Sequence, residues 1–320
     1  MMIISKENKK NLCDNSLPLV SICLLTYQHA EYIGSCIQGI LSQNYPYIEL
    51  IVLDDASTDD TVEIIESFED RLKKRGINFL FIKHSVNSGN IPANCNEMLQ
   101  QSHGKYIKMY SGDDILLEEC ISSLVSLMEN KGCSVAYCNA FIINNAYKYG
   151  ERYGKEKLLK NHREIPKELV LKKLLYGNII PSPTAMIRKD IYSRYGFYDE
   201  NIGYEDYDLW LRLAGKETFC YLDRMLYLYR KSDTGLSNCN TRFKFRFLYN
   251  QTIQILKKHL MKVSDEERQK VILHFYKEWA ERAKQKCYID IFICIEFRLF
   301  HYAVIMWLRG HRHKKCNNKI

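Results

Sequence analysis

Four groups of residues in this chain have the types and spacing to do chemistry. Thr26, Tyr27, Gln28, His29 and Glu31 form the first, and the run Asp54-Asp55-Ala56-Ser57-Thr58-Asp59-Asp60-Thr61 the second. Ser111-Gly112-Asp113-Asp114 is the third, and Glu205, Asp206 and Asp208 make the fourth. Adjacent carboxylates repel and cost stability unless a cation or hydrogen-bond donors compensate them. Asp113 and Asp114 suit a hard cation such as Mg2+ or Mn2+, held by few protein oxygens and completed by those of a diphosphate. A nucleoside diphosphate departs readily only when its growing negative charge is neutralised, which a divalent cation can do as a Lewis acid. Tyr27 could stack on a base and Asp55 could accept a hydrogen bond from its edge. In the fourth group a carboxylate could take the proton from an attacking acceptor hydroxyl. Plainer readings stand beside these: a turn with a helix cap for Gly-Asp-Asp, a core-edge aromatic for Tyr27, a turn aspartate for Asp55 and an acidic helix start for Glu205 to Asp208.

Ligands of open parallel sheets bind at the carboxyl ends of the strands, so these groups call for strands that stop just before them. Short β-branched runs predict strands at Leu19 to Leu25, Glu49 to Leu53, Asn78 to Lys83, Lys105 to Tyr110 and Ser134 to Asn139. Helix-like stretches alternate with them, the order of βαβ units around a mostly parallel sheet. After Asp55 a helix is predicted, capped by Ser57 or Thr58 and with Asp59, Asp60 and Glu63 near its positive end. Further helices are read from Pro92 to Gln101, Lys167 to Leu175 and Tyr204 to Ala214, and a short strand at Thr184 to Arg188. Ala146 to Arg163 reads as a surface excursion, and Tyr221 to Tyr229 as either core strand or acceptor platform. From Arg242 onward the pattern is helical. These boundaries give an N-terminal extension over 1–17, an α/β domain over 18–238 and a helical region over 239–320.

Charge narrows the class. The net +8 is concentrated at one end: residues 284–320 hold eight Lys or Arg against Asp290 and Glu296, which leaves +2 for the rest. A nucleic-acid-binding domain would spread its basic residues along a folded face, so no nucleic-acid partner is expected. Tyr288 to Leu308 is broken by Asp290, Glu296, Arg298 and His301 and is followed by a basic run. It suits peripheral contact with an anionic membrane, or packing on the domain, better than crossing a bilayer. None of the twelve cysteines is spaced C-x-x-C, and many lie in apolar runs, so they read as buried thiols of a reducing compartment. With no signal-peptide pattern at the start, a cytoplasmic location is expected, on the inner face of the cell membrane if the tail binds lipid.

At this point the residues fit a known family: the chain resembles family 2 glycosyltransferases of the GT-A fold, over roughly Leu19 to Asn238. The strongest element is Asp54 to Thr61, which looks like the family's D-D-x-S-x-D-x-T block. Val20 to Tyr32, Asn87-Ser88-Gly89, Ser111 to Asp114 and Glu205-Asp206-Tyr207-Asp208-Leu209-Trp210 support it in the right order. The resemblance implies a nucleotide-sugar donor, UDP first among candidates, and a glycan or lipid-linked acceptor in surface-polysaccharide synthesis. It implies Thr26, Tyr27, Glu31, Asp55 and Asp113 around the nucleotide, Asp113 and Asp114 at the metal, Asp206 as catalytic base and Glu205 beside it on the acceptor. It also implies a single displacement that inverts the anomeric carbon, in a hexosyltransferase type of reaction. Three positions depart from the pattern. Ser111 replaces a carboxylate of the D-x-D motif, Cys95 stands where a basic residue is common, and Lys231-Ser232-Asp233 follows Tyr229-Arg230 where a histidine is frequent. A nucleotidyltransferase would show a glycine- and basic-rich phosphate loop, and a dinucleotide enzyme a G-x-G; neither occurs. The non-enzymatic rival is a degenerate transferase serving as a binding subunit.

Overall fold

The computed structural model describes residues 17–159, 163–231 and 242–285. The N-terminal extension before residue 17, the Ser232-Asp233 departure and the basic tail beyond residue 285 lie outside these. In chain order the strands are β1 (Val20–Thr26), β2 (Ile48–Asp54), β3 (Asn78–Lys83), β4 (Tyr106–Ser111), β5 (Ile115–Leu116), β6 (Val135–Ile143), β7 (Ala185–Arg188) and β8 (Phe219–Arg230). Between and after them run α1 (Ile33–Leu41), α2 (Thr61–Ser67), α3 (Glu69–Lys74), α4 (Ile91–Gln101), α5 (Cys120–Lys131), α6 (Lys167–Leu174), α7 (Asp190–Tyr195), α8 (Glu205–Leu213), α9 (Arg242–His259) and α10 (Asp265–Gln285).

The strands form one sheet in the order β3-β2-β1-β4-β7-β6-β8-β5. β1, β2, β3 and β4 are mutually parallel, while β7 runs against both β4 and β6, and β5 against β8. Central β1 and β2 are covered on both faces, in keeping with their largely apolar runs, interrupted early by Ser21 and Glu49, whereas edge strand β3 is largely exposed on alternate residues. Alternation along β1 sends Cys23 to one core and Val20, Ile22 and Leu24 to the other. The first core packs beneath α4, α6, α8, α9 and α10, and the second beneath α1, α2 and α5. The cysteines at 23, 36, 95, 120, 133, 138 and 220 are free and buried, in keeping with their apolar surroundings.

Register is what makes a site. Thr26 pairs with Asp54, Leu25 with Ser111 and Asp54 with Lys83, so β1 to β4 end level with one another. Every loop that leaves them opens on the same edge.

Two features go beyond the sequence expectation. Tyr221 to Tyr229 is core strand, inside β8, which crosses a register shift against β6 near Cys138 and Asn139. The excursion after β6 folds back on it, with Ile142 N–H donating to Glu156 O and Leu158 N–H to Ala140 O. Polar side chains hid this return, because its pairing uses backbone groups and the Asn139 amide, which bonds both N–H and O of Leu159.

Asp208, grouped by sequence with Glu205 and Asp206, points into the interior. Arg212 Nε lies 2.9 Å from its carboxylate, His259 Nε2 2.8 Å and Lys258 Nζ 3.0 Å. It therefore ties α8 to the end of α9. Burial pushes this carboxyl up, but His259, Arg212 and Lys258 outweigh burial and hold it at about 2. The depressed value stabilises the fold above the unfolded carboxyl's titration and is lost as pH falls through the folded one. Asp208→Asn should cost about 2–4 kcal/mol at neutral pH by leaving the partly buried Arg212 without its carboxylate. It should also flatten the wild-type loss of stability between about pH 5 and pH 2, as read by urea melts across that range.

Candidate active site

The loop after β1 and the loop after β2 are clamped together. Gln28 N–H donates to Ser57 Oγ at 2.9 Å, and Gln28 Oε1 accepts from the Thr58 and Asp59 N–H groups, each at 3.2 Å. Gln28 Nε2 returns a bond to Thr58 Oγ1 at 2.8 Å, His29 N–H donates to Thr61 Oγ1 at 2.9 Å and Ala30 N–H to Asp59 Oδ2 at 3.1 Å. Asp54 in turn accepts from Ser57 N–H at 2.8 Å and from its hydroxyl at 2.5 Å. The cap expected at Ser57 or Thr58 is not made: α2 starts at Thr61, and both residues spend their side chains on the Gln28 loop and Asp54. Tyr27, at the tip of this clamp, is 43% exposed.

Asp55 is 5% exposed and surrounded by donors. Ser88 N–H and His84 Nδ1 each lie 2.9 Å from Oδ1, while Ser88 Oγ is 3.0 Å and Gly89 N–H 3.2 Å from Oδ2. Burial alone would raise this carboxyl, but the bonds from Ser88 and His84 hold it below the usual range. Ser88 has one hydroxyl hydrogen and also lies 2.9 Å from Asn94 Oδ1. Turned toward Asn94, it leaves Asp55 Oδ2 with a lone pair for an outside donor.

At the end of β4 the backbone passes so close to β1 that a side chain at residue 112 has no room. A Cβ there would sit 2.7 Å from both His29 Nδ1 and Thr26 Oγ1, so Gly112 is required. Thr26 Oγ1 and His29 Nδ1 are themselves 3.1 Å apart. Ser111 Oγ donates to Asp113 Oδ1 at 2.5 Å, and Asp113 is half-buried at the open edge. Asp114 turns the other way. It is 2% exposed, with Oδ1 accepting from Arg230 N–H at 2.7 Å and Oδ2 from Tyr227 Oη at 2.9 Å. Burial, with the charge of Asp113, pushes its carboxyl well above the usual range.

Arg230 closes this region from behind. Its Nε donates to Asp113 O at 2.7 Å, Nη1 to Asn144 O at 2.5 Å and Asn145 O at 3.1 Å, and Nη2 to Tyr147 O at 3.2 Å. The guanidinium also lies 4.5 Å from the Tyr32 ring centroid. One buried cation thus joins β8, the Asp113 turn, the β6 excursion and the start of α1.

Glu205 and Asp206 open α8. Asn178 Nδ2 donates to Asp206 Oδ2 at 2.8 Å. Burial, with the charge of Asp206, pushes Glu205 up to about 8, and burial raises Asp206 less because Asn178 and backbone N–H groups offset it. Two neighbouring carboxyls thereby differ, with Asp206 the one that ionises first. α4 runs from the Asp55 cluster, where Asn94 meets Ser88, to the segment ahead of α8, where Asn96 Nδ2 donates to Tyr198 O and Glu200 Oε1, each at 3.0 Å.

With this geometry established, comparison identifies the relatives. The Glycosyl transferase family 2 model matches residues 21–196, more than half the chain. The chain belongs to glycosyltransferase family 2. This family 2 chain is 28% identical over 238 residues to the Escherichia coli UDP-Glc:alpha-D-GlcNAc-diphosphoundecaprenol beta-1,3-glucosyltransferase WfaP, covering 74% of itself and 85% of that protein. It is 25% identical over 286 residues to the Campylobacter jejuni GalNAc(5)-diNAcBac-PP-undecaprenol beta-1,3-glucosyltransferase, covering 87% of each. An uncharacterized glycosyltransferase of Rickettsia prowazekii is 31% identical over 205 residues, 61% of this chain and 58% of that one. Against several curated relatives it matches, the family 2 chain thus spans only about three fifths to two thirds of their length. Staphylococcus aureus TarS 1-349 in complex with UDP-GlcNAc superposes with a TM-score of 0.55 at 18% identity, covering 82% of this chain and 81% of that one. The Pyrobaculum calidifontis mannosyltransferase PcManGT, in complex with GDP-Man and Mn2+, gives 0.57 at 13% identity, covering 85% and 76%. The fold is GT-A.

In this family 2 domain the level strand ends bring Thr26, Tyr27, Asp55 and Asp113 to one edge. Glu31 is exposed, its carboxylate 3.9 Å from Lys148 of the excursion. For a divalent cation the donor set fits in a reduced form. Asp113 Oδ2 takes no hydrogen bond from the described residues, whereas Asp114 has both oxygens on protein donors inside the core. Of the two aspartates expected at the metal, Asp113 therefore presents the freer carboxylate oxygen at the strand ends, and Asp114 is turned into the core. Among the described residues no group of three His, Cys, Asp or Glu forms a ready cage. One carboxylate oxygen plus diphosphate and water suffices for Mg2+ or Mn2+, which keep most of their shell from such ligands.

Sequence reasoning passed over His84 and Asn178 and gave Arg230 no role of its own. His84 follows a strand end as Asp55 does, and that position was its only signal. Arg230→Lys removes the fork that spans four carbonyls. It should lower stability by about 2–3 kcal/mol and speed amide exchange at residues 112–114 and 144–147 before other parts of the sheet, as seen by hydrogen-exchange mass spectrometry.

Proposed function

We propose that the protein transfers a sugar from a nucleotide-sugar donor, a UDP-sugar first, to a hydroxyl of a glycan or lipid-linked acceptor, inverting the anomeric carbon. The observation that carries this is the pairing of an open Asp113 at the level strand ends with a separate proton acceptor, Asp206, oriented by Asn178 at the start of α8. Thr26, Tyr27, Glu31 and Asp55 surround the nucleoside: Tyr27 offers an exposed ring for stacking, and Asp55 Oδ2 an acceptor for an imide N–H. Asp113 holds Mg2+ or Mn2+, which when bound neutralises charge on the departing diphosphate.

On the acceptor side, Asp206 takes the hydroxyl proton, and Glu205, still protonated at neutral pH, donates a hydrogen bond that orients the nucleophile. Two neighbouring carboxyls on one side of the sugar provide a base but no separate covalent nucleophile, which favours a single displacement. The names of WfaP and its Campylobacter counterpart, and the ligands of TarS, support a UDP-sugar and a lipid-linked acceptor. PcManGT binds GDP-Man with Mn2+, which keeps GDP in the screen. No helix among the described residues is long and apolar enough to cross a membrane. A lipid-linked acceptor would instead be met at an anionic surface through the basic segment 284–320.

Calorimetry with UDP, GDP and dTDP should show one nucleotide binding in a Mn2+-dependent manner, with the metal-dependent part lost in Asp113→Ala. No binding by folded protein would favour a non-catalytic binding subunit. Asp206→Asn should retain nucleotide binding and lose about 100- to 10,000-fold in kcat. In the active enzyme kcat/KM should rise as Asp206 ionises, at a pH above an ordinary aspartate's, and fall as Glu205 loses its proton near 8. Removing residues 284–320 should abolish co-sedimentation with anionic vesicles while nucleotide affinity stays unchanged.

A further inference from the structure

His84, one residue past β3, has a carboxylate on each ring nitrogen. Nδ1 is 2.9 Å from Asp55 Oδ1 and Nε2 is 3.0 Å from Glu97 Oε2. A neutral imidazole has one N–H and one lone pair, so it could satisfy only one of these oxygens and would face the other lone pair to lone pair. The imidazolium satisfies both. Asp55 and Glu97 are the ionisable groups against the ring; the neighbouring Lys83 is engaged elsewhere, 2.7 Å from Glu66. The bond to Asp55, with that to Glu97, raises the imidazole above its ordinary value.

We propose that protonated His84 is the positioning residue of the nucleobase subsite, strapping α4 to the ends of β2 and β3, so that nucleotide affinity follows its proton. The proposal rests on the reading of Asp55 as the group that meets the base. Glu97 and Asn94 are three residues apart and share a face of α4. Asn94 is buried against Ser88, whose single hydroxyl hydrogen reaches either Asn94 or Asp55 Oδ2. The seating of α4 therefore sets whether Asp55 Oδ2 is open to an imide N–H. When His84 loses its proton, the Asp55 side chain, 7% exposed, keeps Nδ1–H, and the Glu97 side chain, 42% exposed, is released. The strap holds below the raised imidazole value and opens as pH rises through it.

Glu97→Gln separates the strap from its proton, because an amide N–H can donate to a neutral Nε2. UDP affinity with Mn2+ is measured by calorimetry from about pH 6 to pH 8.5, a range that spans imidazole titration. Wild type should weaken about three- to fivefold more than Glu97→Gln, and the ratio of the two at each pH cancels the nucleotide's own titrations. In nucleotide-free protein, the His84 ring followed by NMR should titrate above the ordinary imidazole value in wild type and shift down in Glu97→Gln. Parallel affinity curves, or a His84 that titrates at or below the ordinary value, would overturn the strap. If UDP, GDP and dTDP fail to bind at any pH while His84 still titrates high, the donor-site reading falls, and the coupling falls with it. The ring titration thus tells the two failures apart.

Discussion

Carboxylates crowded at one edge of a parallel sheet repel one another, and the architecture of this edge follows from how each is compensated. Asp54 is met by Ser57, and Asp59 by Thr61 and the Ala30 N–H. Asp55 is met by His84, Ser88 and Gly89, and Asp114 by Tyr227 and the Arg230 N–H. Those bonds also fix the loops: Ser57 and Thr61 hold the post-β2 loop to itself, and Ala30, His84, Ser88, Gly89, Tyr227 and Arg230 reach in from segments that would otherwise leave the strand ends independently. Asp113 receives only Ser111 on one oxygen. Among the aspartates bonded at this edge, Asp113 is thereby the least compensated by the described residues.

The same bonds hold two strained turns. Gln28 and Ala56 have φ of 54° and 64°, a region non-glycine residues seldom occupy, at a cost on the order of 1–3 kcal/mol each. Glycine at residue 28 would relieve the backbone but would delete the side chain that accepts from Thr58 and Asp59 and donates to Thr58. Strain is thus traded for a clamp that sets where Tyr27 projects. The Tyr27 loop is thus ordered by its own bonds, and a ring that stacked there would cost it less conformational entropy.

Much of this was legible in the sequence. The βαβ order, the carboxyl-end placement of the acidic groups and the match to the family block follow from apolar runs and spacing, which are local. Within that block, however, the sequence read helix caps, while the structure shows bonds across to the β1 loop, because a serine or threonine hydroxyl serves either purpose equally. Asp208 looked like a third member of the acidic cluster but lies about 200° round the helix from Asp206, and the His259 that pairs with it is 51 residues away. Arg230 and His84 act through contacts of the same long-range kind. Their roles depend on register between strands, which no local pattern encodes.

The division of labour at the start of α8 has a physical origin of the same sort. Adjacent carboxyls in a half-buried place cannot both ionise readily, so the first proton leaves from whichever has the better donor. Asn178 supplies that donor to Asp206 alone, leaving Glu205 protonated and able to donate. A single exposed amide therefore sets two similar acids apart, one that ionises first and one that keeps its proton longer. Because α4 carries Asn94 and Glu97 at the Asp55 cluster and Asn96 on the segment ahead of α8, a shift of that helix would be felt at both places at once. Its Asn96 side chain, bonded to Tyr198 and Glu200 just ahead of α8, makes the connection rigid rather than merely adjacent.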